Sequence, residues 1–191
     1  MKVLKDILYK VSIESVIGNT GRTIAALHYD SRNVGKNDVF IAIKGSAYDG
    51  HEFINTAISQ GVSVVVCQEL PFELVDSVTY VVVLSSSQAL ARMASNYYEN
   101  PSENLKLIGI TGTNGKTTVA TLLYELFKNA GYKVGLISTV KIMVDSKRYP
   151  TAHTTPDSLV INAFLSQMSL EGVDFCFMEV SSHGIHQHRI E

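Results

Sequence analysis

Residues 111–118 read Thr-Gly-Thr-Asn-Gly-Lys-Thr-Thr and lie between an aliphatic run and an amphipathic one. The run before them, Leu105 to Ile110, is short, apolar and bounded by polar residues, which predicts a buried strand. The run after them, Lys116 to Ala130, carries Val119, Leu122, Leu123 and Leu126 at helical spacing and stops at Gly131, which predicts a helix with those side chains on its apolar face. Strand, glycine turn and helix together restrict the chain to an α/β arrangement with the turn at a helix N-terminus. Gly112 and Gly115 leave room for backbone N–H groups to approach phosphate oxygens, and the helix end adds unpaired donors and partial positive charge. Lys116 is placed to neutralise the β- and γ-phosphates, and Thr117 to offer its hydroxyl to Mg²⁺, with Thr113, Asn114 and Thr118 completing the loop. The pattern points to a nucleoside triphosphate.

The spacing departs from a standard phosphate loop, whose leading glycine would fall at Ile110; the match is to a shorter Gly-x-x-Gly-Lys-Thr variant. A glycine turn that merely starts a helix is the competing reading at this point. Charge-assisted hydrogen bonds contribute roughly 1.5–3 kcal/mol each, so several could offset ordering of the loop, whereas a structural turn has no need of Lys116 followed by two threonines.

The 191 residues can hold one large or two small domains, and 46% hydrophobic against 18% charged residues marks a globular chain. A net charge of −2 leaves no electrostatic footprint for nucleic acid or an anionic membrane. No stretch has the length of a transmembrane helix, and the N-terminus lacks a signal peptide's apolar centre. Cys67 and Cys176 sit inside apolar strand-like runs, which predicts buried, reduced thiols and a cytoplasmic protein.

Short helical and strand patterns alternate along the chain. Helices are expected over 3–11, 52–60 and 87–98, and strands over 23–29, 38–43, 62–67 and 80–84, with a turn-rich stretch at 30–37. The polar, proline-containing segment 100–104 reads as a linker between a domain at 1–99 and a second at 105–191. Beyond the phosphate loop come a strand (133–139), a hairpin-like stretch (140–149), a helix begun by Pro156 with Leu159, Val160, Ala163, Phe164 and Met168 on one face, and a strand over 174–180. Strands alternating with helices imply parallel sheets.

Several separate stretches carry one further signal. They are Asp30-Ser31-Arg32; Phe40 to Gly45 leading to Asp49-Gly50-His51; Thr111 to Thr118; Thr154-Thr155-Pro156; and Met178-Glu179-Val180-Ser181-Ser182-His183-Gly184, followed by Gln187 and Arg189. Their order and spacing resemble the first part of the Mur ligases, specifically the MurE family of UDP-N-acetylmuramoyl-tripeptide synthetases. The phosphate loop alone would also suit other Mur ligases, folylpolyglutamate synthases and cyanophycin synthetases; the pair His153-Thr154-Thr155-Pro156 and Met178 to Gly184 narrows the resemblance. It implies a UDP-binding α/β domain followed by the first part of a phosphate-loop parallel-sheet ATPase domain. It also implies an ATP- and Mg²⁺-dependent ligase that activates a carboxylate of UDP-MurNAc-L-Ala-D-Glu as an acyl phosphate and adds a diamino acid, meso-diaminopimelate or L-lysine.

By the resemblance, Gly112 to Thr118 hold ATP, with Lys116 and Glu179 catalytic and Thr117 and Glu179 on Mg²⁺. Tyr29, Ser31, Ser46, Ala47 and Tyr48 contact the uridine nucleotide, while His153, Thr154, Thr155, Ser181, Gln187 and Arg189 grip the UDP-sugar and its peptide. Duller readings stand beside these. Ser31 and Arg32 also suit a plain turn with Asp30, and Glu179 a strand-end carboxylate. Asp49-Gly50-His51 reads as a turn and helix cap, and His183, His186 and His188 as loop residues rather than a metal cluster. In the family pattern a second-metal histidine, a carbamoylated lysine and the arginine motif that selects the diamino acid follow after the position of Glu191. The resemblance therefore reads the chain as an N-terminal piece without ligase activity of its own, either the front of a ligase or a UDP-sugar-binding module. Its last strand is expected to expose an unpaired edge.

Overall fold

A computed structural model describes residues 2–45, 48–151 and 155–190. The chain forms two compact units, Met1–Tyr97 and Tyr98–Glu191. Among the described residues no helix is long and apolar enough to cross a membrane.

The first unit contains β1 (Lys2–Val3), α1 (Leu4–Ile7), β2 (Ile13–Ile17), β3 (Thr23–Ile24), β4 (Leu27–His28), β5 (Val39–Ile41), α2 (Ile54–Ser59), β6 (Val64–Cys67), β7 (Thr79–Val83) and α3 (Ser86–Tyr97). Its five-stranded sheet has the order β2-β7-β6-β5-β4, parallel except for β2 at the edge. Val64, Val65, Val66 and Cys67 are all fully buried, as expected for a central parallel strand covered on both faces. Phe40, Val65, Cys67 and Tyr80 pack with Ile54 and Ala57 of α2 on one face.

Two expectations change here, and one strand was not expected. The helix expected over 3–11 shrinks to α1, because Val3 pairs with Thr23 and Lys10 turns the chain at φ 58°. The strand expected over 23–29 divides: β3 pairs with β1, whereas β4 pairs with β5. β2 has no counterpart in the sequence reading; all five of its residues are exposed, so no alternation of buried and polar positions marks it.

The second unit contains β8 (Lys106–Ile110), α4 (Lys116–Asn129), β9 (Val134–Ile137), β10 (Ile142–Val144), β11 (Lys147–Tyr149), α5 (Ser158–Leu170), β12 (Phe175–Glu179) and α6 (Ser182–His186). The sheet order is β11-β10-β9-β12-β8, with β9, β12 and β8 parallel and a β10–β11 hairpin. Along β12 the residues alternate: Phe175 and Phe177 pack with Ala120 and Tyr124 of α4, and Cys176 and Met178 with Ile161, Leu165 and Met168 of α5. The segment read as a linker holds a 3₁₀ turn, Pro101–Asn104, with Pro101 buried, and packs against α5.

The last strand is not an edge. Among the described residues β12 is paired on both sides, whereas β11 and β8 end the sheet, and β8 is half-exposed, contrary to the buried strand expected there. α4 is also rotated from its expected face. Ala120 and Tyr124 are buried, with Leu123 and Phe127 beside them, leaving Val119, Leu122 and Leu126 at 45%, 64% and 61% exposure. The helix has apolar residues on both sides, so periodicity did not choose between them; the hydrogen bond from Tyr124 Oη to Asp145 O (2.7 Å) accompanies the face that packs. In α5 the cap is Asp157, whose carboxylate accepts from Val160 N–H (3.0 Å), and the buried face is Ser158, Ile161, Leu165 and Met168. Of the residues expected on that face, Met168 is buried and Phe164 partly so, whereas Val160 is exposed. The stretch 182–186, expected as loop, forms the short helix α6, capped by Ser181 Oγ accepting from Gly184 N–H.

Candidate functional site

The phosphate-loop sequence takes the form its residues predict. Gly112 and Gly115 have φ of 149° and 80°, values that L side chains rarely adopt, and Gly115 is the N-cap of α4. A Cβ built on Gly115 would meet nothing within 4 Å, so the cradle in front of the helix is open. Residues 111–115 are exposed, and the first turn of α4 offers its backbone N–H groups beside them. The Lys116 ammonium lies back over the loop, donating to Gly112 O at 2.7 Å.

Alternation along β12 determines what meets this loop from the sheet. Glu179 has the same parity as Phe175 and Phe177, so it faces α4. It is 1% exposed at the C-terminal end of a parallel strand. Thr117 Oγ1 donates to Glu179 Oε2 at 2.9 Å, joining the helix start to the strand end. Thr139, after β9, donates twice more, N–H to Oε1 at 2.9 Å and Oγ1 to Oε2 at 3.1 Å. Thr139 was missed from sequence; its only signal was its place just after a strand that proved parallel to, and adjacent to, β12.

A hydroxyl and a carboxylate are hard oxygen donors, and together they suit Mg²⁺, which retains several waters and needs few protein ligands. No cluster of three or more His, Cys, Asp or Glu side chains able to hold a metal occurs among the described residues. His183 instead contacts Gln187 through the ring Nε2 (2.9 Å).

Beyond Glu179 the expected sugar- and peptide-gripping residues form one network. Thr155, 1% exposed, donates from Oγ1 to Glu179 O (3.2 Å) and accepts from Ser181 N–H (3.1 Å). The Arg189 guanidinium donates to Thr155 O and to Gln187 Oε1 (2.9 Å). Thr155, Ser181, Gln187 and Arg189 are thus brought together; His153 and Thr154 lie outside the described residues.

In the first unit, Tyr29 and Ser31 follow β4, and Tyr48 follows β5, at the C-terminal ends of neighbouring parallel strands where α/β sheets place ligands. Asp30 accepts from both Arg32 N–H (3.0 Å) and its guanidinium (2.6 Å), which pulls the carboxyl down to about 2, and Ser31 is buried inside this turn. Tyr29 and Tyr48 are exposed, at 44% and 75%. Ser46 and Ala47 lie outside the described residues.

The chain is similar in sequence and fold to known proteins. A family model described as Mur ligase middle domain matches residues 110–191, and one described as Mur ligase family, catalytic domain, matches 23–98. A UDP-N-acetylmuramoyl-L-alanyl-D-glutamate--2,6-diaminopimelate ligase of Cytophaga hutchinsonii is 49% identical over 188 residues, covering 98% of this chain and 39% of the relative. A solved structure of a ligase of that name superposes with a TM-score of 0.74 at 24% identity, over 98% of this chain and 37% of the other. The MurF ligase of Thermotoga maritima, solved in complex with ADP, superposes with a TM-score of 0.54 at 24% identity, over 82% of this chain and 32% of that one. At such identities the two superpositions speak for the fold alone. The chain spans about 39% of the length of the curated relatives it matches.

Proposed function

Because this chain belongs to the Mur ligase family, we propose that it supplies the nucleotide- and UDP-sugar-binding parts of an ATP-dependent ligase. The ligase joins a diamino acid to UDP-MurNAc-L-Ala-D-Glu in peptidoglycan precursor synthesis. The names of the matched relatives favour 2,6-diaminopimelate over lysine as that diamino acid. In this reading the first unit binds the uridine nucleotide, and the second is part of the central ATP-binding domain.

The observation that carries the proposal is the grouping of Lys116, Thr117 and Glu179 at the C-terminal end of the second sheet. A carboxylate is a poor electrophile; transfer of the ATP γ-phosphoryl group would turn it into an acyl phosphate and release ADP, and the amine would then attack the acyl carbon, forming the amide and expelling inorganic phosphate. The protein's task is to position the reactants and neutralise charge. The backbone N–H groups of 112–118 cradle the phosphates, Lys116 leaves Gly112 O to reach them, and Thr117 and Glu179 hold Mg²⁺. Thr139 keeps the Glu179 carboxylate facing the helix start. Thr155, Ser181, Gln187 and Arg189, with His153 and Thr154, hold the sugar and its peptide. Tyr29, Ser31 and Tyr48, with Ser46 and Ala47, hold the uridine.

Ligase turnover belongs to the whole protein, since the matched relatives are much longer than these residues. The 191 residues are expected to bind Mg²⁺–ATP and UDP-MurNAc-L-Ala-D-Glu yet form no tripeptide; Lys116-dependent product would overturn that part. Calorimetric titration of wild type and Lys116→Ala with both ligands tests the binding part. Loss of the charged contact should weaken Mg²⁺–ATP by about 10- to 100-fold and leave the UDP substrate unaffected. Loss of both affinities together would make Lys116 structural, and a folded wild type that takes up neither ligand would overturn the proposal.

A further inference from the structure

The motif Asp49-Gly50-His51 is not absorbed by the reading above, yet its side chains are tied together closely. Asp49 caps a 3₁₀ turn, Gly50–Phe53, by accepting from His51 N–H at 3.0 Å. The His51 ring then makes two contacts in opposite directions. Its Nδ1 lies 2.6 Å from Asp49 Oδ1, and its Nε2 lies 2.9 Å from the backbone N of Gln68, the residue after β6.

A backbone N–H can only donate, so Nε2 must present its lone pair. The ring proton is therefore on Nδ1, where it donates to Asp49. One neutral tautomer satisfies both contacts; the other would set two donors against each other at Gln68.

What this ring fastens is the stem of the segment after β5. Lys44 and Asp49 face each other as an isolated antiparallel bridge, Gly45 N–H donates to Tyr48 O (3.0 Å) and Gly50 N–H donates to Ile43 O (2.9 Å). Gly50 approaches Ile43 so closely that a Cβ would lie 2.6 Å from its backbone N and 2.7 Å from its O. Lys44 Nζ, 3.9 Å from Asp49 Oδ2, draws on the same carboxylate. The stem is thus fixed to its own strand through Gly50 and to the neighbouring parallel strand through His51. Tyr48, 75% exposed, stands at its tip.

We propose that His51, as its neutral Nδ1–H tautomer, is a positioning residue for uridine-nucleotide binding: it ties the Asp49 stem to Gln68 and so presents Tyr48 to the ligand. The inference rests on the reading of this segment as a uridine contact. His51 touches no substrate atom; it acts through Asp49.

Titration with UDP-MurNAc-L-Ala-D-Glu and, separately, Mg²⁺–ATP, on the 191-residue chain and on His51→Ala, His51→Phe and His51→Gln, tests it. His51→Ala and His51→Phe should weaken the UDP ligand by about tenfold and leave Mg²⁺–ATP affinity unchanged. His51→Gln, whose amide offers one acceptor and one donor on the same end group, should recover most of the loss. The ¹⁵N shifts of the wild-type imidazole should show Nδ1 protonated and Nε2 bare. Equal UDP-ligand affinity in all variants, or an Nε2-protonated ring, would overturn the inference while leaving the uridine site standing. Wild type that binds Mg²⁺–ATP but no UDP ligand would overturn the reading of the segment, and this inference with it. Should His51→Ala not fold, the Gln variant and the wild-type ¹⁵N shifts still decide.

Discussion

Glu179 is where residue chemistry and fold meet most tightly. It is 1% exposed, and each recorded partner of its carboxylate is a neutral donor, two hydroxyls and one backbone N–H. Such a carboxylate is suited to take up a cation between its strand end and the helix start. Glu179→Gln keeps an acceptor for Thr139 N–H, and the threonine hydroxyls can rotate to accept from the new amide. The variant is expected to unfold within about 1 kcal/mol of wild type and to lose the extra thermal stabilisation that Mg²⁺ adds to bound ATP. Melting curves with ATP, with and without Mg²⁺, check this; an unchanged Mg²⁺ increment would remove Glu179 from the metal site. That Lys116 and Thr117 stand at a helix start and Glu179 at a strand end was legible in the sequence, because each place follows from a short local pattern. Thr139 was not, because its partner lies on a strand that becomes its neighbour only when β12 inserts beside β9.

At the scale of elements, the second unit leaves an apolar stripe outside. Val119, Leu122 and Leu126 line the outer side of α4, and β8 has one open edge on which Lys106 interrupts the apolar run and lies over the Phe175 ring. Exposed substitutions away from packing change stability by roughly 0.5 kcal/mol or less. The pair Leu122→Glu and Leu126→Lys should therefore leave the melting temperature of the chain nearly unchanged and reduce concentration-dependent light scattering. A fall of many degrees would mean that these leucines are packed after all. The helix and its bounds were readable from 3.6-residue spacing, but its inward face was not. Apolar residues at 119, 122 and 126 compete with those at 120, 123, 124 and 127, and the aromatic contacts of Phe127 with Phe175 and Phe177 choose the second set.

Across the whole molecule, each unit buries one free cysteine in a sheet strand, Cys67 in β6 and Cys176 in β12. Burial pushes their thiols up to about 11 and about 12. A folded-state value raised above that of the unfolded chain, about 8.5, leaves stability intact below that pH and removes it as pH rises toward the folded values. Chemical denaturation should show stability falling above about pH 8.5, by at most about 1.4 kcal/mol per unit and thiol. Both thiols should resist alkylation at pH 8 until the protein unfolds; fast native alkylation would contradict their burial. By itself the sequence determined the elements with strong periodicity and the glycine loop that opens α4, because these depend on residues close together in the chain, and it pointed to the family through the order and spacing of several short stretches. The tertiary structure alone decided that β12 lies inside the sheet and β8 at its edge, which side of α4 and α5 is covered, and that Thr139 meets Glu179 and Gln68 meets His51. Those outcomes depend on which strands become neighbours, and pairing across 40 residues or 17 leaves no periodic trace in the chain.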